Sequence, residues 1–272
     1  MKYIFLLSFV LFFASCGTSE QPTETAPTEP NIVTERISYQ GDSLTMEGVL
    51  VYDSNLTTPR PGIIVAHEWW GLNEHPINSA KKLAEQGYVA FAIDMYGDGK
   101  HVETPDEAQA LAGLVYGDFD GAKARFNAAM EVLKQNPHCD KEKIAAIGFC
   151  FGGGIILNMA RQGADLDAIG VFHGSLEPVK PATIGSFAGK VMVMNGEADK
   201  LVSQESIDAF KVEMDSAKID YEFVNYPNDL HAFTNPKATE IGEKYGLPVA
   251  YNKEADEQSW AKLEEFLSGV FN

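Results

Sequence analysis

The stretch that decides the fold is Gly148-Phe149-Cys150-Phe151-Gly152-Gly153. It follows an apolar run that predicts a buried strand at residues 143–149, and it opens a run that predicts a helix at residues 153–161. This order is typical of a nucleophile elbow, here with cysteine in place of serine. A side chain two residues before or after Cys150 would clash in so sharp a turn, which explains the glycines. We therefore predict that Cys150 is a nucleophile, with a helix N-terminus beneath its sulfur that favours the thiolate.

A cysteine nucleophile needs a base, and the base needs a carboxylate that orients it. Behind such an elbow the acid comes first in the chain and the histidine second. His173 ends a strand too early for this order, whereas His231 lies in a loop after the last predicted strand. Asp199 lies just after the preceding strand, and Glu197 is the alternative acid. The predicted catalytic set is Cys150, Asp199 and His231.

The sequence does not match two other kinds of motif, a glycine-rich nucleotide-binding loop and a zinc-binding motif. The glycine run lacks the Gly-Lys-Ser/Thr ending of a P-loop, and its spacing does not fit G-x-G-x-x-G. His67-Glu68-Trp69-Trp70-Gly71 begins like the zinc motif H-E-x-x-H, but its fifth residue is glycine and it follows a strand. We expect neither a metal nor an organic cofactor.

Strands and helices alternate along most of the chain, which predicts an α/β fold with a doubly wound, mostly parallel sheet. The first two strands form an antiparallel N-terminal pair with Gly41-Asp42 in the turn. Residues 227–250 show little periodicity and are predicted to be loops at the mouth of a site. Predicted strands are 33–39, 44–52, 62–67, 88–93, 143–149, 168–172, 190–195 and 220–226, and predicted helices are 76–86, 105–114, 119–135, 153–161, 204–216 and 254–270.

Further motifs make residues 33–271 resemble the dienelactone hydrolase family of the α/β-hydrolase fold. The matching pieces are the Gly-x-Cys-x-Gly-Gly elbow, the Asn-Gly-x-x-Asp turn that ends at Asp199, the His-Ala-Phe at His231, the Glu-Trp-Trp-Gly-Leu-Asn that begins at Glu68, and Asp94-Met95-Tyr96-Gly97. The resemblance implies a carboxylic ester hydrolase that cleaves small esters or lactones with a Cys-His-Asp triad and no cofactor.

The resemblance also implies roles around the nucleophile. Glu68 would contact the resting thiol, which becomes a thiolate when substrate binds. The Phe151 N–H, which the elbow aims at a developing oxyanion, would be joined by the Trp69 N–H as a second donor. Trp70 and Tyr96 are candidates for the wall of the substrate pocket, or equally for core packing.

The sequence departs from the family at two positions where arginines bind a substrate carboxylate. Asp98 and Asn235 occupy these positions here. We therefore do not expect dienelactone itself to be the substrate. Lys100, Lys200 and Lys237 are the candidates that could replace the lost positive charge.

Two alternatives to hydrolysis stay open. The same triad could run an acyltransferase or thioesterase, which product analysis with a competing alcohol or thiol would reveal. A surface lipoprotein that binds a small molecule without turnover would show thermal stabilisation by ligand but no product.

Composition narrows the classes of partner. The chain has 21 basic and 39 acidic residues and a net charge of −18, which disfavours nucleic acid as a partner. Hydrophobic residues make up 45% of the chain, enough for a sizeable core. We expect a monomeric single domain at residues 32–272, with a small molecule as its partner.

The N-terminal region predicts export. Lys2 and the apolar residues 3–13 resemble a signal peptide at 1–15, and Ala14-Ser15-Cys16 resembles a lipobox, although Phe13 stands where leucine is usual. Residues 16–31 would hold the lipidated Cys16 and a disordered linker rich in Pro, Thr and Glu. The predicted location is the bacterial cell envelope, through the lipid anchor only. The alternative is an ordinary cleaved signal.

The remaining cysteines, Cys139 and Cys150, flank the strand at 143–149. A strand rises about 3.3 Å per residue, so the two thiols should lie more than about 20 Å apart. A disulfide requires α-carbons within about 7 Å, and we predict none between them.

Overall fold

Eight strands form one sheet in the computed structural model, which describes residues 29–271. The predictions for the signal segment, for Cys16 and for the linker through residue 28 concern residues outside this range. The strands are β1 (Ile32–Gly41), β2 (Leu44–Asp53), β3 (Arg60–Ala66), β4 (Val89–Ile93), β5 (Cys139–Phe149), β6 (Ala168–Phe172), β7 (Lys190–Gly196) and β8 (Asp220–Tyr226). The helices are α1 (Glu74–Glu85), α2 (Pro105–Gly117), α3 (Phe119–Gln135), α4 (Phe151–Arg161), α5 (Gln204–Ala217), α6 (Ala238–Tyr245) and α7 (Lys253–Phe271).

The strand order is β1-β2-β4-β3-β5-β6-β7-β8. β1 pairs with β2 and β2 pairs with β4 in antiparallel fashion, and every other neighbouring pair is parallel. The predicted fold class is therefore confirmed, including the antiparallel N-terminal pair. None of the helices in the described range is long and apolar enough to cross a membrane.

The central strands are apolar on both faces because helices cover both faces. Along β3, Ile63 and Val65 belong to the core that α1 and α7 cover, whereas Ile64 belongs to the core on the opposite face with α3, α4 and α5. This arrangement explains why these strands read as continuous apolar runs in the sequence.

Element boundaries differ from the predictions by up to four residues, and two of these differences have a clear structural cause. β5 begins at Cys139, four residues before the predicted start, because Arg60 and Pro61 of β3 pair with Cys139 and Asp140. α1 begins at Glu74 rather than at residue 76, because the Asn73 side chain accepts a hydrogen bond from the His75 N–H at 3.0 Å.

One helix was missed. α6 lies inside residues 227–250, which were predicted to form loops only. It has eight residues, of which Ala238 and Gly242 are buried, and it ends at Gly246 in the left-handed conformation with φ 67°. A helix of two turns with two small buried residues has too short an apolar stripe for its period to show in the sequence.

Cys139 and Cys150 are both free thiols at opposite ends of β5. The parallel pairing brings the carboxyl ends of β3, β5, β6, β7 and β8 to one edge of the sheet. The loops that follow these ends carry Glu68, Cys150, Asp199 and His231.

Candidate active site

Cys150 lies on the sharp turn between β5 and α4. Its backbone has φ 51° and ψ −113°, a conformation that non-glycine residues rarely adopt. A Cβ at Gly148 would lie 2.4 Å from the Gly152 carbonyl oxygen, and one at Gly152 would lie 2.4 Å from the Ala66 oxygen and 2.5 Å from the His67 oxygen. These contacts are with backbone atoms that cannot move aside, so glycine is required at both positions.

Asp199 and His231 are joined by a hydrogen bond of 2.7 Å between His231 Nδ1 and Asp199 Oδ2. Asp199 Oδ1 accepts from the Leu201 backbone N–H at 2.7 Å, so both carboxylate oxygens have fixed partners. Glu197, the alternative acid, is exposed. The structure therefore places Asp199, and not Glu197, against the histidine.

The second ring nitrogen of His231, Nε2, has no hydrogen-bond partner among the described residues. The Cys150 sulfur is nevertheless close enough for its charge to act on the ring. Burial alone lowers the pKa of His231, but the Cys150 charge and the hydrogen bond to Asp199 outweigh burial and raise it to about 10. A cysteine beside a histidine that a carboxylate holds in place is the arrangement that activates a cysteine nucleophile.

The Glu68 carboxylate lies in the same cavity as Cys150 and is 2% exposed. Its Oε2 accepts a hydrogen bond of 2.5 Å from Asn235 Nδ2, and His75 Nδ1 lies 3.5 Å from the same oxygen. Asn235 stands at one of the two positions where the family resemblance implies an arginine. The sequence did not reveal this contact, because the two residues lie 167 positions apart.

The two predicted oxyanion donors are the first residue of a helix and a residue of a loop. Phe151 is the first residue of α4, where a backbone N–H has no acceptor within the helix. The chain at Trp69 is fixed because the Tyr96 hydroxyl donates to the Trp69 carbonyl at 2.9 Å.

Tyr96 does not line the cavity, so its assignment as a pocket-wall candidate is corrected. It packs beneath the elbow, with ring centroids 4.8 Å from His67 and 5.4 Å from Phe151. Burial and the nearby Cys150 charge raise its pKa above the ordinary tyrosine value. Its hydroxyl is therefore a hydrogen-bond donor and its role is to support the Trp69 loop.

The motif at Asp94 forms the loop that holds Tyr96 in place. The buried Asp94 carboxylate accepts from the backbone N–H groups of Tyr96, Gly97 and Gly99 at 2.8, 2.9 and 2.8 Å. A carboxylate with several backbone donors fixes a tight loop, which accounts for this part of the family pattern.

His67 and His173 are buried and have structural contacts. His67 Nδ1 lies 2.5 Å from the Glu68 carbonyl, and its Nε2 accepts from the Met95 N–H at 3.2 Å. His173 Nε2 is 2.9 Å from Thr234 Oγ1, and its ring lies 5.1 Å from that of His231. Burial, followed by the charge of His231, lowers the pKa of His173 well below its ordinary value, so this ring is a neutral neighbour.

A cavity of about 180 Å³ opens over Cys150. Trp69 and Trp70 are among the residues that line it. Another part of the lining belongs to α6 and the segment after it, which is tied to the histidine loop by the Ala250 N–H donating to the His231 carbonyl at 3.2 Å. Sequence reasoning missed these apolar wall residues, which are Leu201, Ala232, Ala238, Ile241, Leu247, Pro248 and Val249.

A second cavity, of about 320 Å³, lies at the other end of β3 and β5, beside Arg60 and Lys143. It is remote from Cys150 and shares no lining residue with the cavity of about 180 Å³ over Cys150. The arrangement of titratable side chains marks the smaller cavity as the candidate active site.

The sheet order, the elbow at Cys150, and an acid and a histidine on the loops after later strands define an α/β-hydrolase. The sequence profile of the dienelactone hydrolase family matches residues 46–271, and the chain belongs to this family.

The chain is also similar to individual proteins. Protein usf of Aquifex pyrophilus is 29% identical over 214 residues, which is 73% of this chain and 91% of that protein. The uncharacterized protein K02A2.1 of Caenorhabditis elegans is 36% identical over 151 residues, or 55% of this chain and 94% of that protein. The crystal structure of a dienelactone hydrolase-like promiscuous phosphotriesterase from metagenomic libraries is 33% identical, with a TM-score of 0.81, and covers 89% of this chain and 99% of its own.

Proposed function

We propose that the protein hydrolyses small carboxylic esters or lactones with Cys150 as nucleophile, His231 as base and Asp199 as the group that orients His231. The observation that carries the proposal is the 2.7 Å bond between His231 and Asp199 beside a cysteine on a nucleophile elbow. Membership of a hydrolase family and the apolar cavity over the sulfur support the same reaction.

The proposed first half-reaction forms a thioester. The Cys150 thiolate attacks the ester carbonyl, and the oxyanion is stabilised by the N–H groups of Phe151 and Trp69. When the tetrahedral intermediate collapses, the C–O bond breaks and the leaving alkoxide takes the proton from the His231 imidazolium. The alcohol departs and the acyl group remains on sulfur.

The second half-reaction returns the enzyme to its starting state. Neutral His231 takes a proton from water as the water attacks the thioester carbonyl. The C–S bond then breaks, the carboxylic acid is released, and the thiolate is again paired with an imidazolium. In a lactone the leaving alkoxide stays attached to the acyl group, so one open-chain hydroxy acid is formed.

Glu68 has a supporting role in this proposal. A carboxylate close to the sulfur disfavours a second negative charge there and accepts a hydrogen bond from the Cys150 thiol before substrate binds. When substrate binds, the thiol proton passes to His231, which gives the thiolate and the imidazolium that begin the first half-reaction. The hydrogen bond from Asn235 holds Glu68 in the cavity and limits how far its carboxylate can turn toward the sulfur.

Hydrolysis of a short activated ester by the full chain, with Cys150→Ala alongside, tests the proposal. We expect turnover by the wild type and none by the variant, with both proteins folded. Equal rates in the two proteins would refute the nucleophile. Transfer of the acyl group to an added alcohol or thiol would identify a transferase, and thermal stabilisation by ligand without product would identify a binding protein.

A second candidate reaction is the cleavage of uncharged phosphotriesters. It is favoured by the similarity to the promiscuous phosphotriesterase and by a cavity whose lining, among the described residues, contains no lysine or arginine. Cys150 would form an S–P bond as an aryloxide leaves, and water would then release the dialkyl phosphate. Hydrolysis of a diethyl aryl phosphate that is lost in Cys150→Ala would support this activity.

We also propose that the chain is exported, lipidated at Cys16 and held as a monomer at the bacterial cell envelope. The support is the sequence of residues 1–31. Fractionation of cells that produce the wild type or Cys16→Ala tests the anchor, since only the wild type should sediment with membranes. Soluble protein in both cases would indicate an ordinary cleaved signal.

A further inference from the structure

The charge inventory of the cavity over Cys150 restricts the substrate. Its ionisable lining residues are Glu68, Cys150 and His231, and the remaining lining is apolar, aromatic or the amide of Asn235. The lining therefore holds one carboxylate, that of Glu68, and among the described residues no lysine or arginine that could pair with another anion. A second anion that enters would meet repulsion rather than a partner.

The one amide side chain that lines the cavity is already bound through both its nitrogen and its oxygen. Asn235 Nδ2 donates to Glu68 at 2.5 Å, and Asn235 Oδ1 accepts from the Lys237 N–H at 2.9 Å. The Lys237 ammonium pairs with Glu74 at 2.9 Å on the surface. Among the described residues no lysine or arginine lines the cavity, so the three lysines considered from the sequence do not restore the lost charge there.

The size of the cavity sets a second limit. Its volume of about 180 Å³ is close to the about 150 Å³ of an apolar cavity that accommodates benzene. Part of the wall is formed by Ile241, Leu247 and Val249, which offer contact to hydrocarbon and no hydrogen bond from a side chain. A single ring or a short alkyl chain fills such a space.

We propose that this site selects uncharged esters whose group over Cys150 is apolar and no larger than about one ring, and that it rejects esters that carry a carboxylate. This inference rests on the proposed ester hydrolysis. The substrate class follows from the side chains that line the cavity and not from the triad.

The test compares three esters of the same leaving group with the full chain. These are 4-nitrophenyl hexanoate, the 4-nitrophenyl monoester of adipic acid, and its uncharged methyl diester. Because a buried carboxylate without a partner is costly, we expect kcat/KM for the two neutral esters to exceed that for the acid by about tenfold or more. Equal kcat/KM for all three would overturn the inference, whereas no hydrolysis of any of them would refute the proposed function itself.

A pair of variants at the cavity mouth sharpens the test. Leu201 lines the cavity and is 60% exposed, so a long polar side chain is accommodated there without disturbing the core. Leu201→Arg should raise kcat/KM for the acid relative to the hexanoate several-fold, and Leu201→Gln should leave that ratio as in the wild type. An unchanged ratio in Leu201→Arg, with thermal unfolding like that of Leu201→Gln, would argue against charge as the basis of selection.

Discussion

Strand β5 has a cysteine at its first residue and another just after its last, and the two thiols have different surroundings. Cys139 is buried at the start of the strand, where burial and the charge of Asp140 raise its pKa to about 12. Cys150 is half-buried, opens to a cavity, precedes the N-terminus of α4 and lies near His231. In a parallel sheet only the carboxyl ends of the strands meet helix N-termini and functional loops, so position in the sheet makes one thiol inert and the other a candidate nucleophile.

The glycines near the two cysteines show the same contrast. A Cβ at Gly62 would meet only side chains, namely Cys139 Sγ at 2.6 Å, Ile144 Cδ1 at 2.9 Å and Leu133 Cδ2 at 3.1 Å. A Cβ at Gly148 would meet backbone atoms of the elbow. Side chains around Cys139 are therefore able to repack, whereas the backbone around Cys150 is restricted to one geometry.

The largest expected effect is the difference in kcat/KM between variants of the two cysteines. Cys150→Ala should reduce kcat/KM for a neutral ester by about 10⁴-fold or more, because the covalent step is lost. Cys139→Ala should change it by less than about threefold, since its effect is a small packing loss far from the cavity. Steady-state kinetics on the two purified variants measures both. A comparable loss in Cys139→Ala would show that the start of β5 also controls the reaction.

The second prediction concerns the acid that orients His231. Asp199→Asn should lower kcat by about 10³- to 10⁴-fold, because an amide does not stabilise the imidazolium and allows the wrong tautomer. Glu197→Gln is the matched control, since Glu197 is exposed and two residues away. The pH dependence of alkylation of Cys150 by iodoacetamide should change in Asp199→Asn only. A large effect of Glu197→Gln instead would reverse the assignment of the acid.

The third prediction compares the glycines. Gly148→Ala should destabilise the fold by about 3 kcal/mol or more, because the new Cβ meets immovable backbone. Gly62→Ala should cost less, about 1 to 2 kcal/mol, because the atoms that its Cβ meets, the nearest being Cys139 Sγ, belong to side chains rather than to the backbone. Urea unfolding of the two variants gives both values. Equal costs would mean that the elbow is as adaptable as the start of β5.

The same contrast explains how much of the molecule could be predicted from its sequence. The elbow, the mostly parallel sheet and the side chains Asp199 and His231 depend on local patterns, namely glycine spacing, apolar runs and chain order. The elbow can be recognised in the sequence because the backbone at Cys150 allows only glycine two residues before and two residues after it. The family resemblance added Glu68 and the loop at Asp94, which spacing alone would not have revealed.

The parts that the sequence did not predict depend on contacts between distant segments. α6 is short and is held against the site by backbone hydrogen bonds of the segment after it, such as the Asn252 N–H to the Phe233 carbonyl at 3.1 Å. Asn235 could be recognised as a departure from the family, but its bond to Glu68 follows only from the three-dimensional fold. Tyr96 was left open between the pocket wall and the core because an aromatic residue in a motif gives no sign of which side of a loop it occupies.

The smallest expected effect lies at the Cys139 end and depends on pH. The pKa of Cys139 is raised from its ordinary value of 9.0 to about 12 in the folded protein, so the folded state binds this proton more tightly than the unfolded state. Its contribution to stability is therefore complete below about pH 9 and is lost as the pH rises toward 12. Wild type and Cys139→Ala share every other titrating group, so the difference between their urea midpoints isolates this thiol. The wild type should be the more stable of the two at pH 7, and its advantage should shrink as the pH is raised from 8 to 10. A difference that stays constant over this range would mean that Cys139 ionises as readily in the folded protein as in the unfolded chain, and the two ends of β5 would then differ in geometry but not in the protonation of their thiols.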